Sequence, residues 1–365
     1  MIRPVPALTN RRLNRALLAR QGLLRRRRVP PLRVAEQLVG MQAQEPRDPY
    51  VALWTRIDGY RPDRLAGALL AREAVRMTLF RGTIHLVTAR DALAIRPLLQ
   101  HVVERNFLAQ GPFRRAAATV DLEELVAWYR TLLDEAPRTR AELVRLTAER
   151  YPDLDAGSLG YAMYLLPIVQ ITPRGVWGRS GRATQTTVEA WLGRPMDADP
   201  DVDALVRRYL AAFGPATPAD VRAWSGLRGA REIVDRLRPE LRTFHDERGR
   251  ELLDVPRAPL PDEDTPAPVR FLPEYDNVGL GHDDRSRIVA PGTSGWGEVH
   301  WGTVLVDGFM SARWRIDRDG DHALLRVEPW RALSRADRAE VTDEGRALLG
   351  FLAAAARHRV AISAP

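Results

Sequence analysis

Apolar residues recur at helical spacing through NRRLNRALLARQGLL (10–24), LRVAEQLVG (32–40) and DPYVALWTRI (48–57). The pattern then changes to strand-like spacing in VRMTLFRGTIHLV (75–87), with Arg81 and Gly82 at the expected turn. The same order returns twice. LEELVAWYRTLLDEA (122–136) and VDALVRRYLAAFG (202–214) each predict an amphipathic helix, followed by a second helical stretch opening on a threonine. In those openings Thr139 precedes Ala141 and Glu142, and Thr217 precedes Ala219 and Asp220. A threonine N-cap with an acidic residue three places on satisfies orphan helical amides and opposes the helix dipole, so both positions predict helix starts. A hairpin is expected after each: in LPIVQITPRGVWGRS (166–180), turning near Pro173 to Gly175, and in LRTFHDERGRELLDV (241–255), turning near Asp246 to Gly249.

Helix, helix, helix, hairpin is the order of a winged helix. The chain is therefore expected to be α+β and mainly α, with tandem winged-helix motifs at 8–90, 91–190 and 200–255. The proline-rich segment 256–268 reads as a linker. Beyond it, GTVLVDGFMSARWRI (302–316) and HALLRVEPW (322–330) alternate as strands, so residues 269–365 form a β-rich unit closed by a helix at roughly 334–357.

Composition adds a partner. With 365 residues and 45% hydrophobic content the chain can bury a sizeable core. Its net charge is +8, and every one of its 55 basic side chains is an arginine. Codon bias accounts for arginine over lysine but not for the positive sum, which suits a polyanion met through guanidinium groups. The absence of cysteine excludes disulfides, cysteine-bearing zinc fingers and iron–sulfur clusters. No run approaches the ~18 apolar residues of a membrane span, and the basic N-terminus lacks a signal-peptide core, so a soluble cytoplasmic protein is expected.

Candidate chemistry is sparse. No serine-hydrolase motif, HExxH pair, phosphate loop or dinucleotide fingerprint occurs. LPEYDNVGLGHDDRSRIV (272–289) is the densest polar run. Its Glu274, Asp276 and Asp283 suggest either a divalent metal, as in a nuclease, or a loop satisfied by its own Asp–Arg pairs. The remaining oddity is QAQ at 42–44. Gly40 and Pro46 break the helix around it, which lets Gln42 and Gln44 share a face in extended geometry; on a helix they would diverge. On the residues alone, the pair either acts on a substrate or merely caps a helix in a DNA-binding regulator.

The QAQ stretch, the tandem winged helices, LFRGTIHLV (79–87), LPEYDNVGLGHDDRSRIV and VLVDGFMSARWRI (304–316) together resemble the AlkZ/YcaQ family of winged-helix DNA glycosylases. The Gln, apolar, Gln element is that of the AlkZ branch; the YcaQ branch has an acidic residue in second place. The resemblance implies excision of bulky N7-alkylated purines from double-stranded DNA and unhooking of interstrand crosslinks. It also implies self-resistance to an alkylating natural product such as azinomycin B in an actinomycete, with Gln42 and Gln44 catalytic and no cofactor or metal. A monomer with an open, concave basic surface is expected, because a crosslinked guanine stays tied to the opposite strand. DNA contacts are expected from Arg81, Thr83 and His85 on the first hairpin, Arg174 and Trp177 on the second, Arg248 and Arg250 on the third, and Arg285 and Arg287 in the polar run; Trp177 and Trp301 read equally as core aromatics. Without lysine, the only amine for a Schiff base is the α-amine of Met1, so strand cleavage by a lyase step is not expected.

Overall fold

The computed structural model describes residues 7–109, 111–290, 293 and 297–364; the α-amine of Met1 lies outside them. The first block opens with α1 (Asn10–Arg20), α2 (Pro31–Gln37), α3 (Asp48–Trp54) and α4 (Pro62–Leu70). A two-residue strand, β1 (Met41–Gln42), lies between α2 and α3, and the hairpin β2 (Ala74–Thr78) and β3 (Ile84–Thr88) closes the block. The α5 (Ala89–Ile95), α6 (Gln100–Ala109) and α7 (Gly111–Ala117) helices then lead into the second block. That block contains α8 (Leu122–Glu135), β4 (Arg138–Thr139), α9 (Arg140–Arg150), α10 (Ala156–Leu159), β5 (Ile168–Gln170), β6 (Thr184–Thr187) and α11 (Val188–Leu192). The third is α12 (Val202–Phe213), α13 (Pro218–Ser225), α14 (Ala230–Leu237), β7 (Arg242–His245) and β8 (Glu251–Asp254).

Both threonine openings are reciprocal caps. Thr139 and Thr217 accept from the amides of Glu142 and Asp220, whose carboxylates in turn accept from the threonine amides. The second hairpin departs from expectation. Its second strand is not VWGRS but TQTT at 184–187, because residues 171–183 leave the sheet as a long loop. That loop is pinned elsewhere: the Tyr50 hydroxyl donates to Gly175 O at 2.8 Å and accepts from Trp177 N at 3.0 Å.

The first two blocks share one sheet of order β1-β3-β2-β5-β6-β4, joined where Arg76 and Met77 of β2 pair with Gln170 and Val169 of β5. The third hairpin stays a separate two-stranded ribbon. Nor does α1 belong to the first block alone. Leu17 and Leu18 pack with Val206, Tyr209 and Leu210 of α12, while buried Arg20 forms a two-pronged pair with buried Asp254 at 2.7 and 2.8 Å.

The C-terminal part is β9 (Arg270–Leu272), α15 (Asn277–Leu280), β10 (Gly302–Val306), β11 (Phe309–Asp319), β12 (His322–Pro329), α16 (Arg335–Leu352) and β13 (Arg357–Ile362). Its sheet runs β13-β12-β11-β10-β9, with α16 across it. The terminal helix therefore ends earlier than expected, and RHRVAI adds an edge strand parallel to β12. No helix among the described residues is long and apolar enough to cross a membrane.

Candidate active site around Gln42 and Gln44

The segment from Val39 to Gln44 is set by its two faces. Met41 and Ala43 are buried in a cluster with Leu38, Tyr50 and Leu86, and strand alternation turns Gln42 away from Met41, while Gln44 lies in the bend just beyond the strand. Pairing fixes the register: Met41 faces Leu86, Gln42 faces His85, and Ala43 N donates to Ile84 O at 2.7 Å. Entry into the strand is strained. Val39 sits at φ 56°, a left-handed conformation that a β-branched residue rarely adopts and that costs ~1–3 kcal/mol. Gly40 follows at φ 94°, and a Cβ there would fall 2.7 Å from Val87 Cγ1.

Asn277 braces this entry from the C-terminal part. Its Nδ2 donates to Gly40 O at 2.6 Å and Leu38 O at 3.4 Å, while its Oδ1 accepts from Gln42 N at 3.4 Å. The neighbouring Asp276 takes both arms of buried Arg56 at 2.7 and 2.8 Å. The metal reading of the polar run finds no support in this geometry, since no cluster of metal-ligating side chains occurs among the described residues.

Arg81 sets the polarity of Gln42. It too has a left-handed backbone, φ 56°, and its guanidinium donates to Trp224 O at 2.9 Å and Gln42 Oε1 at 3.0 Å. A guanidinium only donates, so the amide atom facing it is the oxygen, and the Gln42 NH2 group points elsewhere. Burial, then the charge of Arg285, pulls the Arg81 pKa down to about 10, which leaves it cationic at neutral pH. Gln44 is exposed, and its Oε1 receives only the amide of Ile84 at 3.4 Å. The two amides are thus unequal: one is clamped and nearly buried, the other loosely held at the surface.

Charge divides the site in the same way. Arg81 and Arg285 lie on the Gln42 side. Beside Gln44, burial together with Glu274, Glu45 and Asp276 pushes the Asp48 carboxyl up to about 8, so it is largely protonated at pH 7. Asp48 Oδ2 has no hydrogen-bond partner. Asn277 and Asp48 are the residues that sequence reasoning missed as parts of this site. The helix-start spacing of Asp48 reads as dipole compensation, and nothing in the local pattern signals its burial.

The expected DNA contacts fall into different places. Thr83 is half-buried and donates to Phe80 O at 3.2 Å. His85 is buried, held by Thr83 O at 2.9 Å from Nδ1; burial and then Arg81 push its pKa down to about 3, so it is neutral. Arg287 is buried and donates to Pro215 O at 2.8 Å. His85 and Arg287, expected to meet DNA, are both buried in the frame around the site. Arg285 is exposed, and Arg174 is half-buried with Nη1 donating to Gly181 O at 3.3 Å. On the third hairpin, Arg250 bridges Asp246 and Asp284 at 2.7 Å each, and Arg248 meets Asp284 at 3.0 Å. Trp177 is half-buried and stacks on Phe351, whereas Trp301 lies under the guanidinium groups of Arg313 and Arg315.

A family model described as DNA glycosylase AlkZ-like matches residues 35–351. Among solved structures the chain is similar to the Streptomyces sahachiroi DNA glycosylase AlkZ, with a TM-score of 0.73 and 20% sequence identity, covering 98% of this chain and 100% of that one. No curated protein sequence matches.

Proposed function

The chain belongs to the AlkZ-like DNA glycosylase family, and from that premise we propose that it hydrolyses the N-glycosidic bond of N7-alkylated purines in duplex DNA, including those in interstrand crosslinks. The observation that carries this reading is the oxygen of Gln42 committed to Arg81 at the end of a short strand, with Gln44 exposed two residues on. An N7-alkylguanine is already cationic, so it departs with the electron pair of the C1′–N9 bond and needs no strong acid. What the reaction requires is a water placed beside C1′ and stabilisation of the developing oxocarbenium charge.

The unequal amides divide that work. Gln44 Oε1 keeps a lone pair for a proton of the attacking water, while Gln42 Nε2, aimed by the Arg81 clamp, donates to the water oxygen or to a phosphate oxygen. The water oxygen bonds to C1′, the base leaves, and the released proton passes to solvent. Arg285, Arg174 and the half-buried Thr83 would meet backbone phosphate on a concave basic surface. The protein acts as a monomer in the cytoplasm. It leaves an intact abasic site, and the absence of lysine supports that outcome because a Schiff-base lyase step needs an amine. An alkylating natural product of the azinomycin B type, made by an actinomycete host, is the kind of agent such an enzyme would counter.

The test is release of 7-methylguanine, and unhooking of an N7 crosslink, from duplex DNA by the wild type and by Gln42→Ala and Gln44→Ala. Full activity in both variants would remove the proposed site, and an inactive wild type would leave a DNA-binding protein without chemistry. Rapid borohydride trapping of a protein–DNA adduct would overturn the monofunctional reading.

A further inference from the structure

A half-open cleft of about 730 Å³ begins one residue beyond Gln44. Glu45, Arg47 and Tyr50 form one wall, and the loop around Arg174, Trp177 and Arg179 forms the other. Its size is that of a small-molecule pocket and far exceeds what a phosphodiester group needs.

Two features set this cleft apart. First, Arg47 and Arg179 make no side-chain hydrogen bond or ion pair among the described residues, and Arg174 donates only to a backbone carbonyl. Glu45 is the acid on the rim, so the cleft carries surplus positive charge beside aromatic surface. Second, its position relative to the glutamines is fixed. The Tyr50 hydroxyl ties Gly175 and Trp177 to α3. A Cβ on Gly175 would fall 2.8 Å from Arg76 Cδ, and the guanidinium of Arg76 donates to the carbonyl of Ala43, between the two glutamines, at 2.7 Å.

We propose that this cleft receives the group appended to N7 of the purine, and that it selects flat, acceptor-rich or anionic aromatic substituents. The inference rests on the glycosylase reading above. Guanidinium groups stack on aromatic faces and pair with carboxylates, and Trp177 supplies a further ring surface. A methyl group on N7 would not reach Arg47 or Arg179, so their contribution depends on the size of the adduct.

The experiment is single-turnover excision from duplex DNA of 7-methylguanine and of an N7-guanine adduct made with a nitrogen mustard linked to a quinoline carboxylate. In Arg47→Ala and Arg179→Ala, both exposed positions, excision of the quinoline adduct falls about 10-fold, the worth of one charge-assisted contact, and release of 7-methylguanine stays within about 2-fold. An equal loss on both substrates would make the cleft a DNA-backbone site and overturn the proposal, as would no loss on either. A wild type that fails to release 7-methylguanine would fail the glycosylase reading instead.

Discussion

The first and third hairpins arise from the same order of elements, yet they have become opposite kinds of structure. The third, β7–β8, is an isolated ribbon whose turn arginines are neutralised by Asp246 and Asp284. The first, β2–β3, is built into a six-stranded sheet, gains β1 as an extra strand, and turns its arginine onto an amide oxygen. Its neighbourhood also holds left-handed Val39 and Arg81. Backbone strain and an arginine without a carboxylate mark a place where local stability has been traded for geometry. Self-paired arginines on a regular turn mark a surface that needs only to stay folded.

Five variants would break or sharpen that contrast. The largest effect is expected from Arg56→Ala, which strands the buried Asp276 carboxylate and costs about 3–5 kcal/mol in urea unfolding. Arg248→Ala on the third hairpin breaks an exposed pair and costs under about 1 kcal/mol. Next, Gln42→Ala lowers single-turnover excision by about 100- to 1,000-fold, the usual effect of losing one preorganised polar group. Arg81→Ala lowers it by about 10-fold, since Gln42 remains but its amide is no longer oriented. Arg248→Ala serves as the control, changing excision by less than about 2-fold; an equal loss in the two variants would end the distinction between the hairpins.

The smallest effect concerns Asp48. Its folded pKa of about 8 lies above its unfolded value near 4, so between those pH values the folded chain holds a proton that the unfolded chain has released. Stability therefore falls as pH rises through that window. Asp48→Asn carries no such proton, so its Tm relative to wild type should be higher at pH 8.5 than at pH 5, by on the order of 2–4 °C. A difference that does not change with pH would mean that Asp48 is ionised throughout.

Much of this was legible in the sequence because it depends on neighbours in the chain. Thr139 and Thr217 predict helix starts since capping is complete within four residues. The break around QAQ is local too: Gly40 and Pro46 stop the helix whatever surrounds them. The late second strand of the second hairpin was not legible, because residues 171–183 are drawn off by the Tyr50 hydroxyl, more than 100 residues earlier. The edge strand at 357–362 was hidden behind a helical pattern, and only its pairing with β12 decides it.

The sequence by itself determined that two amides stand in a broken helix of an all-arginine, cysteine-free chain, because residue type and punctuation are properties of the chain. Only the tertiary structure decided which atom of Gln42 faces its neighbour, that Asn277 holds the strand entry, and that Asp48 keeps its proton. Those outcomes follow from desolvation and from directional hydrogen bonds between segments up to 239 residues apart in the chain. Neither can be read from spacing.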